Sequence, residues 1–266
     1  MADEQLFLAP INDRFREAVR DDENAKPWLV FADELARVGL ALLHDIEVPT
    51  YDGRKFAAAG IFARAHQSLQ AAVIVIERGM VGDGRAILRT VVEAAIALNA
   101  LANDENFGQR LASASHADSL KLTNMLLNKP DIRAEVSAED IALLEATRDQ
   151  LMAMPKEERS SIIWDQVAQK HCPDLYDTLY RLLSMDGTHI NAGSLARRFE
   201  RNGEDFTMMK VGPDVEGLVS ALQAACAAFL HSIEPFVKLY PVSGYAEKVD
   251  VLVQRLKAME AVEIAW

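Results

Sequence analysis

The chain has 266 residues, of which 50% are hydrophobic, so it can bury a substantial core. Its 40 acidic and 28 basic side chains give a formal net charge of −12, which repels phosphate backbones and argues against non-specific nucleic-acid binding. Two distant cysteines, Cys172 and Cys226, exclude a disulfide framework and a Cys-x-x-Cys zinc site. These thiols, together with an acidic start where a signal peptide would be basic, predict a cytoplasmic protein.

Apolar residues recur at helical spacing through most of the sequence, which predicts an all-α multi-helix bundle. Pro27, Pro173 and Pro213 are placed just inside helix N-termini, and Ser137-x-x-Asp140 resembles a capping box. The predicted helices lie near residues 3–20, 27–46, 53–78, 84–103, 105–128, 138–153, 161–171, 174–186, 213–239 and 245–262. One short β-hairpin near 198–211, around Asn202-Gly203, is the only strand signal.

The chain is predicted to be a single helical domain over residues 1–266. A weak division near 128–160, where proline and charge accumulate, would separate an N-terminal bundle from a C-terminal helical layer. The charge-poor segments 90–103 and 218–233 are shorter than the ~18 to 20 apolar residues that cross a bilayer. We therefore expect core helices and no membrane association.

Three features of the predicted helices invite a cofactor or ligand and have simpler interpretations. Gly79-x-x-Gly82-x-Gly84 follows a helix and not a strand, so it predicts an interhelical turn in which Gly79 ends one helix and Asp83 caps the next. His66 lies on the apolar face of its helix, which favours a core histidine over a ligand-binding one. No Glu-x-x-His motif occurs, so we expect neither a metal nor another cofactor.

The first polar pair, Arg89 and Glu93, lies one turn apart on an otherwise apolar helix. Its neighbours leave little exposed arc, so at least one of the two side chains is expected to point inward. A structural, partly buried pair is the favoured interpretation, and a functional site is the alternative.

The second polar group comprises Tyr180, Ser184 and His189. Tyr180 and Ser184 share a helix face, and Gly187 breaks the helix before His189, so we expect all three to meet the Arg89–Glu93 pair in one buried cluster. Such a cluster is a satisfied structural network, a site for a small polar ligand, or a relay of serine, histidine and glutamate in a hydrolase. The sequence contains no nucleophile elbow that would support the hydrolase.

Over residues 62–218 the chain resembles a bacterial family known only as domain of unknown function 5677. The resemblance rests on Arg-Ala-Ile-Leu-Arg-Thr-Val-Val-Glu ending at Glu93, on Leu-Tyr-Asp-Thr-Leu-Tyr-Arg-Leu-Leu-Ser ending at Ser184, and on His189. It implies an all-helical fold and no particular activity. Members often carry proline soon after the histidine, whereas Ile190 and Asn191 follow it here.

A looser likeness is to HEPN-type helical ribonucleases, in which an arginine, a short polar spacer and a histidine assemble across a dimer. Here seven residues separate Arg181 from His189, a longer spacer than is typical of that group. This likeness implies metal-independent RNA cleavage in stress or defence, with His189 as acid or base and Arg181 or Arg89 stabilising the phosphorane.

The favoured hypothesis is a regulatory or small-ligand-binding protein that forms a homodimer, and RNA is a partner only under the ribonuclease alternative. Whether the protein is an enzyme stays open. The candidate catalytic residues are His189, Glu93, Arg89 and Ser184, and the candidate ligand-binding residues are Tyr180, Arg181 and His66.

Overall fold

The computed structural model describes residues 13–184, 199–202, 205–209, 213 and 217–261. Their secondary structure, in chain order, is α1 Asp13–Asp21, α2 Lys26–Asp45, α3 Gly53–Ile76, α4 Val81–Asn103, α5 Phe107–Leu127, α6 Pro130–Glu135, α7 Ala138–Ala153, a 3₁₀ turn Lys156–Arg159, α8 Trp164–His171, α9 Pro173–Leu175, a π-helical segment Tyr176–Tyr180, α10 Arg181–Leu183, β1 Phe199–Asn202, β2 Asp205–Met209, α11 Leu218–Leu239 and α12 Tyr245–Glu260. The predicted all-α bundle is confirmed.

Helices α2, α3, α4 and α11 form the centre of the bundle. The Phe62 ring of α3 stacks between two rings of α11, with centroid distances of 5.6 Å to Phe229 and 4.0 Å to Phe236. Gly39 lets α2 approach this stack, because a methyl group at that position would lie 2.8 Å from Phe229 Cζ. Burial of these large side chains is the main stabilising contribution to the centre.

The turn between α3 and α4 differs from its prediction at one residue. Gly79 adopts φ 77° after the end of α3, as expected for a helix-terminating glycine. Asp83 does not cap the next helix, because α4 already begins at Val81 with Met80 at its N-cap. Gly84 lies inside α4 and faces Ile76, where any larger side chain would overlap the isoleucine, so this glycine allows close helix packing.

Helices α5 to α7 form an outer layer with few buried side chains. Leu151 is the only residue of α7 that is buried, and α6 has none. The Ser137 hydroxyl caps α7 by accepting a hydrogen bond from the Asp140 backbone N–H at 3.1 Å, as its sequence motif predicts. His116 bonds through Nδ1 to the Glu158 carbonyl at 3.0 Å, so it holds the 3₁₀ turn against α5. The predicted single domain and its weak division stay predictions.

The segment after residue 198 contains the two described strands and leads into α11. Strands β1 and β2 pair antiparallel from Phe199↔Met209 to Asn202↔Asp205, within the stretch where the sequence places a hairpin. Pro213 is not in a helix, which corrects its predicted position. The left-handed backbone of Gly217, at φ 71°, lies outside helical geometry, so α11 begins only at Leu218.

Helices α3 and α4, of 24 and 23 residues, are long and apolar enough by length and composition to cross a membrane. The core helices of soluble proteins also meet these two criteria, and the apolar side chains of α4 are largely buried against α3 and α11. The expectation of no membrane association therefore stays a prediction.

Candidate functional site

The structure brings Arg89 and Glu93 of α4 together with Tyr180 of the π-helical segment. Arg89 Nη2 donates a hydrogen bond to the Tyr180 hydroxyl at 2.9 Å, and the guanidinium carbon lies 5.2 Å from the centre of the Tyr180 ring. Arg89 Nε lies 3.2 Å from Glu93 Oε1. Three of the five residues predicted to cluster are therefore in contact, and they join α4 to the chain segment that follows α9.

This cluster is partly buried, as favoured for the Arg89–Glu93 pair, and it is not the fully buried cluster expected of all five residues. The Glu93 side chain is 47% exposed and the Arg89 side chain is 26% exposed. The apolar residues of α4 cover most of its circumference, but Glu93 lies on the narrow arc that faces solvent. Water screens an ion pair in this position, so it contributes little to stability.

Two tyrosines and two arginines form a ladder on this face, which the sequence did not predict. The rings of Tyr176 and Tyr180 stack at a centroid distance of 5.2 Å, and Arg181 lies over the Tyr176 ring at 5.5 Å. Arg89 occupies the other end, over Tyr180. We name Arg89, Tyr180, Tyr176 and Arg181 the cation–tyrosine ladder.

The ladder is held by local backbone geometry and by carboxylates. The Arg181 N–H bonds to the Tyr176 carbonyl, five residues earlier, and such π-helical turns occur frequently at functional sites. Arg181 Nε lies 3.3 Å from Asp177 Oδ1. A hydrogen bond to Asp165 raises the pKa of Tyr176, because the neighbouring carboxylate disfavours the phenolate.

Ser184 and His189 are the other two residues of the predicted cluster. Ser184 is partly buried at the end of a described segment. His189 lies outside the described residues, as do Gly187, Ile190 and Asn191. The serine–histidine–glutamate relay and the ribonuclease arrangement both require His189, so both stay predictions.

His66 is a core histidine, as the favoured interpretation has it. It is buried, its Nε2–H donates to the Ala36 carbonyl at 2.8 Å, and its Nδ1 accepts from Gln70 Nε2 at 3.2 Å. Both ring nitrogens are therefore satisfied within the protein. Ala36 and Gln70 line a cleft, so His66 supports the wall of that cleft from behind.

The cleft lies between α2 and the C-terminal half of α3, with α1 at one end, and encloses about 500 Å³. This volume is in the range of small-molecule sites, roughly 300 to 1,000 Å³. Its apolar wall is formed by Leu29, Val30, Ala32, Ala36, Leu69, Val73 and Ile74, and its polar groups are Arg20, Lys26, Asp33, Gln70 and Glu77. We call it the α2–α3 cleft.

Glu77 at the end of this cleft is the buried charge that sequence analysis missed. Its side chain is 5% exposed, with Oε2 bonded to Arg20 Nε at 2.9 Å and Oε1 bonded to Arg78 Nη1 at 2.8 Å. Its position was available in the pattern, because Glu77 follows His66, Leu69 and Val73 on one helix face.

Cysteine chemistry and metal binding find little support in the described residues. Burial raises the pKa of Cys172 to about 12 and raises the pKa of Cys226 as well, so neither thiol is a ready nucleophile near neutral pH. No group of three or more His, Cys, Asp or Glu side chains in this part of the chain is placed to hold a metal ion.

Comparison with protein families identifies a match for this chain. The sequence profile of a group described as a family of unknown function (DUF5677) matches residues 55–206, which is more than half of the chain. The matched range includes α4, the cation–tyrosine ladder and the α3 wall of the cleft, whereas α1 and α2 precede it. No similar chain was found among curated proteins or among solved structures.

Proposed function

Because the chain belongs to the family of unknown function DUF5677, whose description names no activity, we propose from its geometry that it is a small-ligand-binding protein with a regulatory role. The ligand would bind in the α2–α3 cleft. The single observation that carries the proposal is this opening of about 500 Å³, in which an apolar wall lies beside convergent charged groups.

The arrangement around the cleft favours binding over catalysis. Glu77 has both oxygens bonded to guanidinium groups, and His66 has both ring nitrogens bonded within the core. A general base needs an accessible acceptor, and both side chains are buried as well as bonded to protein groups. The same bonds hold the cleft wall in place, which reduces the ordering cost of binding.

A regulatory role follows from where the cleft lies. Its two walls belong to different central helices, so a ligand that contacts both links α2 to α3. A ligand that binds only the folded state stabilises it by mass action, and it also favours one spacing of the two helices. The two free cysteines are consistent with a reducing compartment, so the cytoplasm remains the proposed location.

The test uses a matched pair of tryptophan variants on α2. Val30 lines the cleft and Leu40 does not, although both side chains are more than half exposed. Saturation-transfer NMR would measure binding of octanoate, octylamine, octanol, indole and adenosine to the wild type, Val30→Trp and Leu40→Trp. We expect Val30→Trp to weaken the binding of any ligand by about tenfold, which is about 1.4 kcal/mol.

Leu40→Trp should keep the wild-type affinity, and both variants should keep the wild-type thermal midpoint because both positions face solvent. The proposal fails if none of the five compounds binds, or if the two variants bind them equally well.

RNA cleavage is the second candidate function, and the cation–tyrosine ladder favours it. Stacked aromatic rings flanked by arginines are the side chains that hold single-stranded nucleic acid. Incubation of the protein with total RNA in EDTA tests this function, with His189→Ala as the variant. Cleavage that survives EDTA and disappears in His189→Ala supports the ribonuclease, and absence of such cleavage counts against it.

A further inference from the structure

We infer that the ligand of the α2–α3 cleft is an organic anion with a compact apolar body. This inference rests on the proposed function, because it names the ligand class for the same cleft. It is drawn from the pairing of the charged side chains that line the cleft and from the apolar surface beside them.

The carboxylate at the Glu77 end of the cleft is neutralised by guanidinium groups. Arg20 of the lining and Arg78 outside it bond the single Glu77 carboxylate at 2.9 Å and 2.8 Å. Lys26, exposed at the start of α2, is the second cation of the lining. The lining thus holds two cations and two carboxylates, and one of these carboxylates, Glu77, is already paired.

Asp33 is the second carboxylate of the lining, and it also has an arginine partner. Its Oδ2 lies 2.7 Å from Arg37 Nε, and this exposed pair is close to neutral as a unit. Because both carboxylates of the lining are paired, Lys26 and the terminal nitrogens of Arg20 are the charged groups best placed to meet a ligand.

Arg20 has the chemistry to bind the anionic head of a ligand. Its described bond to Glu77 uses Nε, and its side chain is about half exposed. A guanidinium group has five N–H donors, so the terminal nitrogens of Arg20 are suited to a carboxylate or phosphate. A cationic head would lack a comparable partner, because Glu77 is 5% exposed and bonded to two guanidinium groups and Asp33 is paired with Arg37.

The rest of the cleft suits a small apolar body. Val30 and Ile74 line it from opposite helices, and both side chains are about half exposed. A ligand that covers these side chains removes them, and its own apolar surface, from water. A compound with an anionic head and no apolar body would gain the contacts with Arg20 and Lys26 but not the apolar contacts with Val30 and Ile74.

The experiment compares four probes by isothermal titration calorimetry on the full chain. Octanoate, octylamine and octanol share one apolar body and differ in charge, and acetate has the charge without the body. We expect octanoate to bind at least about tenfold more tightly than each of the other three, since the head groups differ in sign and the body adds buried apolar area. Its affinity should fall as salt is raised.

Two pairs of variants assign the effect to the two halves of the ligand. Lys26→Gln should weaken octanoate about two- to fivefold and leave octanol unchanged, and Lys121→Gln on the exposed side of α5 is its control. Ile74→Gln should weaken octanoate and octanol alike, and Leu40→Gln is its control because Leu40 is exposed away from the cleft.

The outcomes separate this inference from the proposed function. If octylamine or octanol binds as tightly as octanoate, the anionic class is wrong and the cleft remains a ligand site. If none of the four probes binds, the inference fails, and the proposed cleft function then depends on whether indole or adenosine binds. If Ile74→Gln and Lys26→Gln both leave octanoate binding unchanged, the inference and the proposed cleft function both fail.

Discussion

Glu77 and Glu93 both pair with arginine on largely apolar helices, but the Glu77 side chain is 5% exposed and the Glu93 side chain is 47% exposed. Among the described residues, Glu93 pairs with Arg89, four residues earlier on the same helix. Glu77 has two partners, its neighbour Arg78 and Arg20 from α1.

The difference between them shows what determines the energy of a charged side chain. Removing a carboxylate from water costs several kcal/mol unless cations and hydrogen bonds replace the lost solvent, whereas an exposed carboxylate needs no replacement. Spacing along a helix brings Arg89 to Glu93, but packing across helices decides that Glu77 is buried. Four variants test this comparison.

The largest effect is expected from removing both cations of Glu77. In Arg20→Gln/Arg78→Gln the buried carboxylate keeps no cationic partner among the described contacts, so the free energy of unfolding should fall by about 3 kcal/mol. Urea denaturation followed by circular dichroism measures this change. The control, Arg37→Gln/Arg148→Gln, removes two exposed pairs and should cost less than about 1 kcal/mol. Equal losses of unfolding free energy in the two double variants would show that the Glu77 carboxylate is not shielded from water.

A smaller effect is expected from the hydrogen bond that ties α4 to the ladder. Tyr180→Phe removes the bond from Arg89 Nη2 and keeps the ring, so it should lower the free energy of unfolding by about 1 kcal/mol. Tyr51→Phe is the matched control, since Tyr51 is exposed. Denaturation curves that coincide for wild type and Tyr180→Phe would mean that the contact contributes nothing to stability.

The exposed carboxylate itself should matter least among these substitutions. Glu93→Gln keeps the shape of the side chain and removes a screened pair one helical turn from Arg89, so the change should stay within about 0.5 kcal/mol. The same urea titration at low and high salt measures it. A loss of 2 kcal/mol or more would contradict the exposed position of Glu93.

His171 extends the comparison to a partly buried side chain. Its Nε2 has no hydrogen-bond partner among the described residues, and burial, with a contribution from Lys170, lowers its pKa although Asp104 opposes the shift. The unfolded chain then binds a proton more readily than the folded one, so the free energy of unfolding falls as pH drops below 6.5. His171→Gln should make that fall shallower in denaturation curves recorded from pH 7 downward.

Replacement of the exposed His44 serves as the reference for this pH series. If the free energy of unfolding falls with pH equally steeply in His171→Gln and in the wild type, His171 does not contribute to the pH dependence.

Much of the fold could be predicted because the spacing of apolar residues in a long helix is visible in its own sequence. The apolar period places α2, α3 and α7 within two residues of their observed ends, and Ser137 caps α7 as its motif suggests. Elements of five or six residues are too short to show such a spacing, so α6 and the π-helical segment were not predicted. The contact between Arg89 and Tyr180 was expected from their apolar surroundings, and its partial exposure was not.

By itself, the sequence determined the helical class, the order and approximate ends of the helices, and the polar residues that needed partners. Each of these depends on residues within one or two turns of each other, whose spacing is set by the helix itself. The tertiary structure alone decided that Glu77 is buried and that α2 and α3 enclose a cleft. Those features depend on pairs such as Arg20 and Glu77, 57 residues apart, which only packing across the bundle brings together.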